Sequence, residues 1–223
     1  MLLALLSGLA TLAGGAAGSG PSVVAPAAVT VATRPRIVQR PVPFTAARKR
    51  ETADYAQRHY GKRTFRLDPK VIVEHYTVTT NFMAAWNTFA PDRPDSELHE
   101  LPGLCAHFIV GTDGTIYQLV SLRYICRHTV GLNDRAIGIE QVGMSAREIL
   151  GRPRQRRAII ALTAWLQCRY RIAGSNVIGH AMSLSSPFHH ERVSRLRNQT
   201  HGDWTAKELA PLRRELGRYR CPS

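Results

Sequence analysis

A chain of 223 residues has room for one sizeable core plus extensions, which argues against a string of independent domains. Thirty Lys and Arg against sixteen Asp and Glu leave a net charge of +14, which suits a polyanionic partner. Nucleic acid is not the expected one, because the arginines are scattered and no helix-turn-helix, zinc-finger or RNA-binding signature accompanies them.

Met1–Ala13 is an apolar run too short to span a bilayer comfortably, and small residues follow it through Gly20. Residues 1–20 therefore read as an export signal or apolar leader, although no Lys or Arg precedes the run. Residues 21–43, rich in Ala, Val, Pro and Arg without a sustained period, read as a disordered linker. The folded domain is expected over residues 44–223. Thr45–Tyr60 has Ala53, Ala56 and Tyr60 at helical spacing and ends at Gly61, predicting a first helix. Val71–Thr77 predicts a buried strand, and Asn81–Ala90 a helix capped by Asn81 and stopped by Pro91.

Cys105–Val110 and Thr115–Val120 flank a short loop closing on Asp113 and Gly114, the pattern of a β-hairpin. Ala136–Val142 predicts another buried strand. Pro153–Tyr170 predicts an amphipathic helix with Ile159, Leu162, Leu166 and Tyr170 inward. Val177–Gly179 predicts a short strand, and Thr205 opens a last helix whose inner face is Leu209, Leu212, Leu216 and Tyr219. Strands mixed with helices, one clear hairpin and no internal repeat describe an α/β domain: a central mixed β-sheet flanked by helices.

Chemistry concentrates at three strand ends, which carry His75, Glu140 and His180. Short apolar strands that stop near such groups hold them on a rigid support. Two histidines and a carboxylate arriving this way point to a zinc hydrolase, whose metal takes three protein ligands and leaves one position open. His75 and His180 are the first two candidates. His189, His190, Glu191, His201 and Asp203 compete for the third place. Glu140 is a buried strand carboxylate, suited to a general base or to a salt bridge with an arginine. Glu74 should face the opposite way from His75 and reads as structural, while His59, His99 and His189 read as hydrogen-bonded surface or core residues. Cys105 near His107 mimics a cysteine nucleophile with its base, but reads better as core or disulfide. The four cysteines, Cys105, Cys126, Cys168 and Cys221, allow three pairings. Joining near neighbours gives Cys105–Cys126 and Cys168–Cys221, a choice that spacing alone does not fix.

The order of these segments resembles one family. His75–Thr77, Ala106–Val120, Arg127–His128, Asn133–Glu140 and Ile178–His180 follow one another as in the zinc-dependent N-acetylmuramoyl-L-alanine amidases of the amidase_2 type, which share their fold with the peptidoglycan recognition proteins. The resemblance runs from about Val71 to Trp204. It implies Zn2+ held by His75, His180 and Asp203, and Glu140 as the base that moves the proton of water to the leaving L-alanine amine. His201 stands where Lys is common and would stabilise the oxyanion. His128, and with it His107, would contact substrate.

The implied substrate is peptidoglycan, cut between N-acetylmuramic acid and L-alanine by a secreted or periplasmic monomer that anionic cell-wall polymers could also attract. The competing reading is a non-catalytic peptidoglycan-binding module on the same fold. One departure stands out: the stretch from His180 to Asp203 is longer than in compact members, so a loop must carry Asp203 back, with His189 or His190 as rivals.

Overall fold

The computed structural model describes residues 29–222. In chain order the elements are β1 (Thr30–Val31), β2 (Ile37–Gln39), α1 (Ala46–Tyr60), β3 (Val71–Tyr76), α2 (Phe82–Phe89), β4 (Phe108–Val110), β5 (Ile116–Gln118), β6 (Ala136–Gln141), α3 (Ala146–Leu150), α4 (Pro153–Tyr170), β7 (Val177–Gly179), α5 (Ala206–Leu216) and β8 (Tyr219–Arg220). Six strands form one mixed sheet in the order β2-β5-β4-β6-β3-β7, with β4 and β5 antiparallel as a hairpin and the remaining neighbours parallel. The hairpin strands are shorter than the apolar runs that predict them: the ladder joins only Phe108–Val110 to Ile116–Gln118, and the chain turns between them with the Gly111 N–H donating to the Thr115 carbonyl.

Side chains alternate between the two faces of a strand, so register decides what shares a face. Ile72, Ile137 and Val177 stand side by side on the face covered by α4 and α5, where they join Ile159, Leu162, Leu166, Leu209 and Leu212 in the main core. Fully burying each such side chain contributes about 1.5–3 kcal/mol. Val73, Gly138 and Ile178 share the other face. On that face, beyond them, His75 and Glu140 are direct cross-strand partners at the carboxyl ends of β3 and β6.

The helices form where their ends are satisfied locally. Thr45, Asn81 and Ser145 each accept a backbone N–H of the first turn of α1, α2 and α3. Gly61, at φ 77°, closes α1. Thr205 and Glu208 form a reciprocal capping box at the start of α5. Helix α3 lies outside the expected elements; it is a single short turn whose signal is Ser145 followed by Glu148.

Two expectations are corrected. The disordered linker over 21–43 fails for its described part: β2 adds to the edge of the main sheet beside β5, β1 pairs with β8, and Ala32 and Val42 are buried. These short segments carry no period of their own and gain their hydrogen bonds only from distant strands. Residues 21–28 and the apolar leader lie outside the described residues. Tyr219 belongs to β8 rather than to the inner face of α5, because the helix stops at Gly217. The cysteines join as Cys105–Cys126 and Cys168–Cys221.

Two buried arginines fix the irregular segment between α2 and β4 that walls the groove above the sheet. Arg48 donates to the carbonyls of Phe89, Gly103 and Leu104 and pairs with Asp92. Arg127 donates to the Pro102 carbonyl and pairs with Asp95, whose other oxygen accepts the Glu97 and Leu98 N–H groups.

At the far edge the chain returns across β7. An added Cβ on Gly179 would sit 1.6 Å from the Trp204 carbonyl oxygen, so only glycine admits the crossing. Trp204 crosses at φ 53°, a left-handed conformation that costs about 1–2 kcal/mol for a residue with a side chain. Full burial of its indole in the main core offsets that cost. Gly179→Ala should destabilise the fold by at least about 2 kcal/mol, lowering the thermal midpoint by roughly 4–8 °C in calorimetry.

Burial works to raise the pKa of Asp95, but the Leu98 N–H, Arg127 and the Glu97 N–H outweigh it and hold the carboxyl at about 2. A folded-state value below the unfolded one means that ionised Asp95 stabilises the fold above pH ~4, and that this contribution fades as pH falls towards 2. Asp95→Asn should therefore cost about 2 kcal/mol in urea unfolding at pH 7 and progressively less as pH falls through about 2.

Candidate active site

Parallel strands β3, β6 and β7 end at the same sheet edge, and their carboxyl ends bring His75, Glu140 and His180 together, as open α/β sheets favour. Asp203 returns between the two histidines. Its Oδ2 lies 3.2 Å from His75 Nδ1 and its Oδ1 3.2 Å from His180 Nδ1. All three side chains offer donor atoms within 4.8 Å of one another, the one such group of His, Cys, Asp or Glu among the described residues.

The loop that delivers Asp203 is pinned along its length. The His190 N–H donates to the Gly131 carbonyl and the Arg192 N–H to the His59 carbonyl. Glu191 meets His59 Nδ1 at 2.9 Å, Ser183 and Thr200 share a hydrogen bond, and Thr200 also donates to the His180 carbonyl. Finally the Ala181 N–H donates to the Asp203 carbonyl. The rivals for the third place are thereby accounted for. Glu191 is committed to His59, the His189 ring lies against Gly131, and His190 stands exposed.

The hydrogen-bond network assigns the histidine tautomers. His128 Nε2 lies 3.3 Å from the Ala136 carbonyl, which can only accept, so that nitrogen carries the proton. His128 Nδ1 is then an acceptor, 2.8 Å from the Thr129 hydroxyl and 3.1 Å from His75 Nε2. With Nε2 turned to His128, His75 presents Nδ1 to Asp203. This is the arrangement by which a metal-ligating histidine donates its far nitrogen to a supporting group. Asn133 holds the pair in place by accepting the N–H groups of both His128 and Thr129, and its own amide donates to Tyr55.

Electrostatics divide the four groups. Burial works to raise Asp203, yet hydrogen bonds from His180 and His75, and their charge, hold it well below the usual carboxylate range. Burial pulls His180 down to about 4. His75 also feels burial, but its Asp203 hydrogen bond and the Glu140 and Asp203 charges bring it above the ordinary value. Burial pushes Glu140 up to about 7, and its Oε2 is buried without a partner.

Donors around a tetrahedral zinc, at about 2.0–2.2 Å, stand roughly 3.3–3.5 Å from one another. Each imidazole stands about that far from an Asp203 oxygen, His75 from Oδ2 and His180 from Oδ1, both at 3.2 Å, and two nitrogens with a carboxylate are donors zinc takes. His75, His180 and Asp203 could therefore hold the ion, with Glu140 beside it.

Other expected residues divide. His201 is half exposed at the groove rim, where Nε2 lies 3.1 Å from Glu97 Oε2 and the ring leans over His180 at 4.9 Å between centroids. His128 lines the groove, but both ring nitrogens are committed within the protein. His107 does not reach the groove, which corrects its assignment to substrate contact. It is fully buried, accepts the Gly138 N–H at Nδ1 and donates from Nε2 to the Tyr124 carbonyl. Its place beside the side-chain-free Gly138 is decided by sheet pairing, which no local pattern reveals. Cys105, bonded to Cys126, offers no thiol nucleophile.

Glu97, Leu98, Gln199 and Thr129 also line the groove, and no sequence motif singles them out. Asp95, with two N–H groups on one carboxylate oxygen, is the local signal that the 95–98 turn is built.

Residues 65–200, more than half of the chain, match the Amidase_2 family model, described as N-acetylmuramoyl-L-alanine amidase. No curated protein sequence matches the chain. Among solved structures, the endolysin N-acetylmuramoyl-L-alanine amidase LysCS from Clostridium intestinale is 24% identical and has a TM-score of 0.51, the match covering 83% of this chain and 98% of that one. That likeness is one of fold. The amidase LysC from the same organism is 24% identical with a TM-score of 0.49, over 82% of this chain and 99% of that one. AmiD from E. coli, solved with the substrate anhydro-N-acetylmuramic acid-L-Ala-D-gamma-Glu-L-Lys, is 25% identical with a TM-score of 0.40, over 52% of this chain and 49% of its own. The matched segment contains His75, Glu140 and His180 and stops short of Asp203. With its mixed sheet and strand-end site, the chain belongs to the Amidase_2 family of N-acetylmuramoyl-L-alanine amidases.

Proposed function

We propose that this amidase cuts the bond between N-acetylmuramic acid and L-alanine in peptidoglycan with a zinc ion held by His75, His180 and Asp203. The observation that carries the reading is the meeting of those three donor groups beside a buried, unpartnered oxygen of Glu140. When bound, zinc supplies a Lewis acid for the scissile carbonyl and lowers the pKa of water at the site.

Glu140 takes the proton of the attacking water and hands it to the departing L-alanine amine. A carboxyl raised to about 7 is suited to both halves of that transfer. His201, paired with Glu97 at the rim, supplies an N–H donor for the oxyanion. His128 keeps the His75 ring oriented, and the groove wall of Phe89, Leu98 and Leu104 limits water around the reacting bond.

The apolar leader and the surplus of basic residues suit export to a cell envelope rich in anionic polymers. Among the described residues no helix is long and apolar enough to cross a membrane. A non-catalytic binding module is the weaker reading, since this chain retains the three candidate ligands and Glu140.

Purified protein supplied with zinc should release new L-alanine amino termini from cell-wall sacculi, and a chelator should stop the release until zinc is restored. Binding to sacculi without release would overturn the catalytic reading. Glu140→Ala should keep zinc, measured by elemental analysis, and lose about 10²–10⁴-fold in kcat. Asp203→Ala should lose the metal itself, and retained stoichiometric zinc would remove Asp203 from the ligand set.

A further inference from the structure

The sheet face opposite the candidate metal centre carries a buried polar chain that the hydrolysis does not use. Glu74 is 1% exposed and turns towards α4, away from its neighbour His75. Its Oε1 accepts the Thr163 hydroxyl at 2.8 Å and its Oε2 the Gln141 amide at 2.5 Å. Gln141 is itself fully buried, and its Oε1 accepts the Trp204 indole N–H at 2.6 Å. Trp204 directly follows Asp203.

The direction of this chain is fixed by what each group can do. Glu74 Oε2 accepts the Gln141 NH2, so the amide nitrogen faces Glu74. The amide nitrogen also donates to the Ile139 carbonyl, which reinforces the same orientation. The amide oxygen is then left facing the indole, which only donates. A Gln141 turned the other way would set its NH2 against the Trp204 N–H. Glu74 and the Ile139 carbonyl together thus fix the orientation of Gln141, and through it the anchoring of Trp204, which Glu74 does not touch.

Trp204 is where orientation matters. Its backbone crosses β7 against Gly179 in a left-handed conformation, with Asp203 on the far side between the two histidines. Among the described residues no Lys, Arg or His side chain is hydrogen-bonded to Glu74; its two oxygens are satisfied by Thr163 and Gln141. A carboxylate buried without a cation is costly, and an apolar residue would pack there more cheaply.

We propose that Glu74, Gln141 and Trp204 are positioning residues for Asp203: Glu74 sets the amide of Gln141, Gln141 anchors the indole, and the anchored Trp204 aligns the Asp203 carboxylate with His75 and His180. The proposal rests on the reading of those three residues as zinc ligands. It predicts that metal affinity is set in part from the opposite side of the sheet.

The test is the zinc dissociation constant, measured by competition with a chelating dye. It compares the full chain with Glu74→Gln, Trp204→Phe, the double variant and Leu209→Ala. Glu74→Gln keeps side-chain volume while removing the orienting carboxylate, and Trp204→Phe keeps an aromatic ring while removing the indole N–H; Leu209→Ala opens a cavity in the same core and removes no hydrogen bond of the relay. Each single relay variant should bind zinc about 10–100-fold more weakly. The double variant should bind no more weakly than the worse single one, because both break one path. Leu209→Ala should bind like the unaltered protein even though its thermal midpoint falls. Should Glu74→Gln fail to fold, Trp204→Phe against Leu209→Ala decides alone.

Affinities within twofold of the unaltered protein, or an equal loss in Leu209→Ala, or fully multiplicative losses in the double variant, would overturn the relay while leaving the zinc site intact. An unaltered protein that binds no zinc would overturn the metal reading and the relay together.

Discussion

The structure depends on one constraint: β3, β6 and β7 run parallel and in register, so their carboxyl ends arrive at one edge with matching faces. Backbone hydrogen bonding between the strands holds His75 and Glu140 as immediate neighbours and starts His180 from the next strand along. Nothing in the side chains has to search for this arrangement. A slip of one residue in either pairing would turn a functional group into the core and expose an isoleucine in its place. The apolar contacts of Ile72, Ile137 and Val177 with α4 and α5 are therefore what guard the chemistry.

The sheet carries two buried carboxylates with different fates. Burial raises Glu74 and Glu140 alike, each to about 7. Glu74 has a donor on each oxygen and lies among core residues, whereas Glu140 keeps one oxygen unpartnered in a groove. The same residue type on opposite faces of adjacent strands is thus saturated in one case and available in the other. Reactivity follows from the missing partner rather than from the ionisation behaviour.

Much of this is legible in the amino-acid sequence. Helices α1, α2, α4 and α5 announce themselves through caps and apolar spacing, and β3, β6 and β7 through short β-branched runs. His75, His180 and Glu140 can be singled out because strand ends and residue chemistry coincide there, whereas Asp203 is one of five candidates until the family resemblance selects it. What stays hidden depends on distant partners. The strands β1 and β2 exist only because β8 and β5 supply their hydrogen bonds, so their residues resemble a linker. His107 looks like a groove histidine until its pairing beside Gly138 buries it. The anchoring of the 181–203 loop rests on single contacts to His59 and Gly131, which leave no periodic trace.

The crossing at Gly179 has a further consequence for where the working unit ends. Similarity to the family covers residues 65–200, and a fragment cut to that span would look complete by resemblance. It would keep both histidines and Glu140. It would also lose the carboxylate that faces them, the indole that seats the crossing, all of α5 and the Cys221 half of a disulfide. It would lose β2 from the sheet edge as well. The boundary of sequence kinship and the boundary of the autonomous machine therefore differ here, and the second lies where the polypeptide has passed back over its last strand.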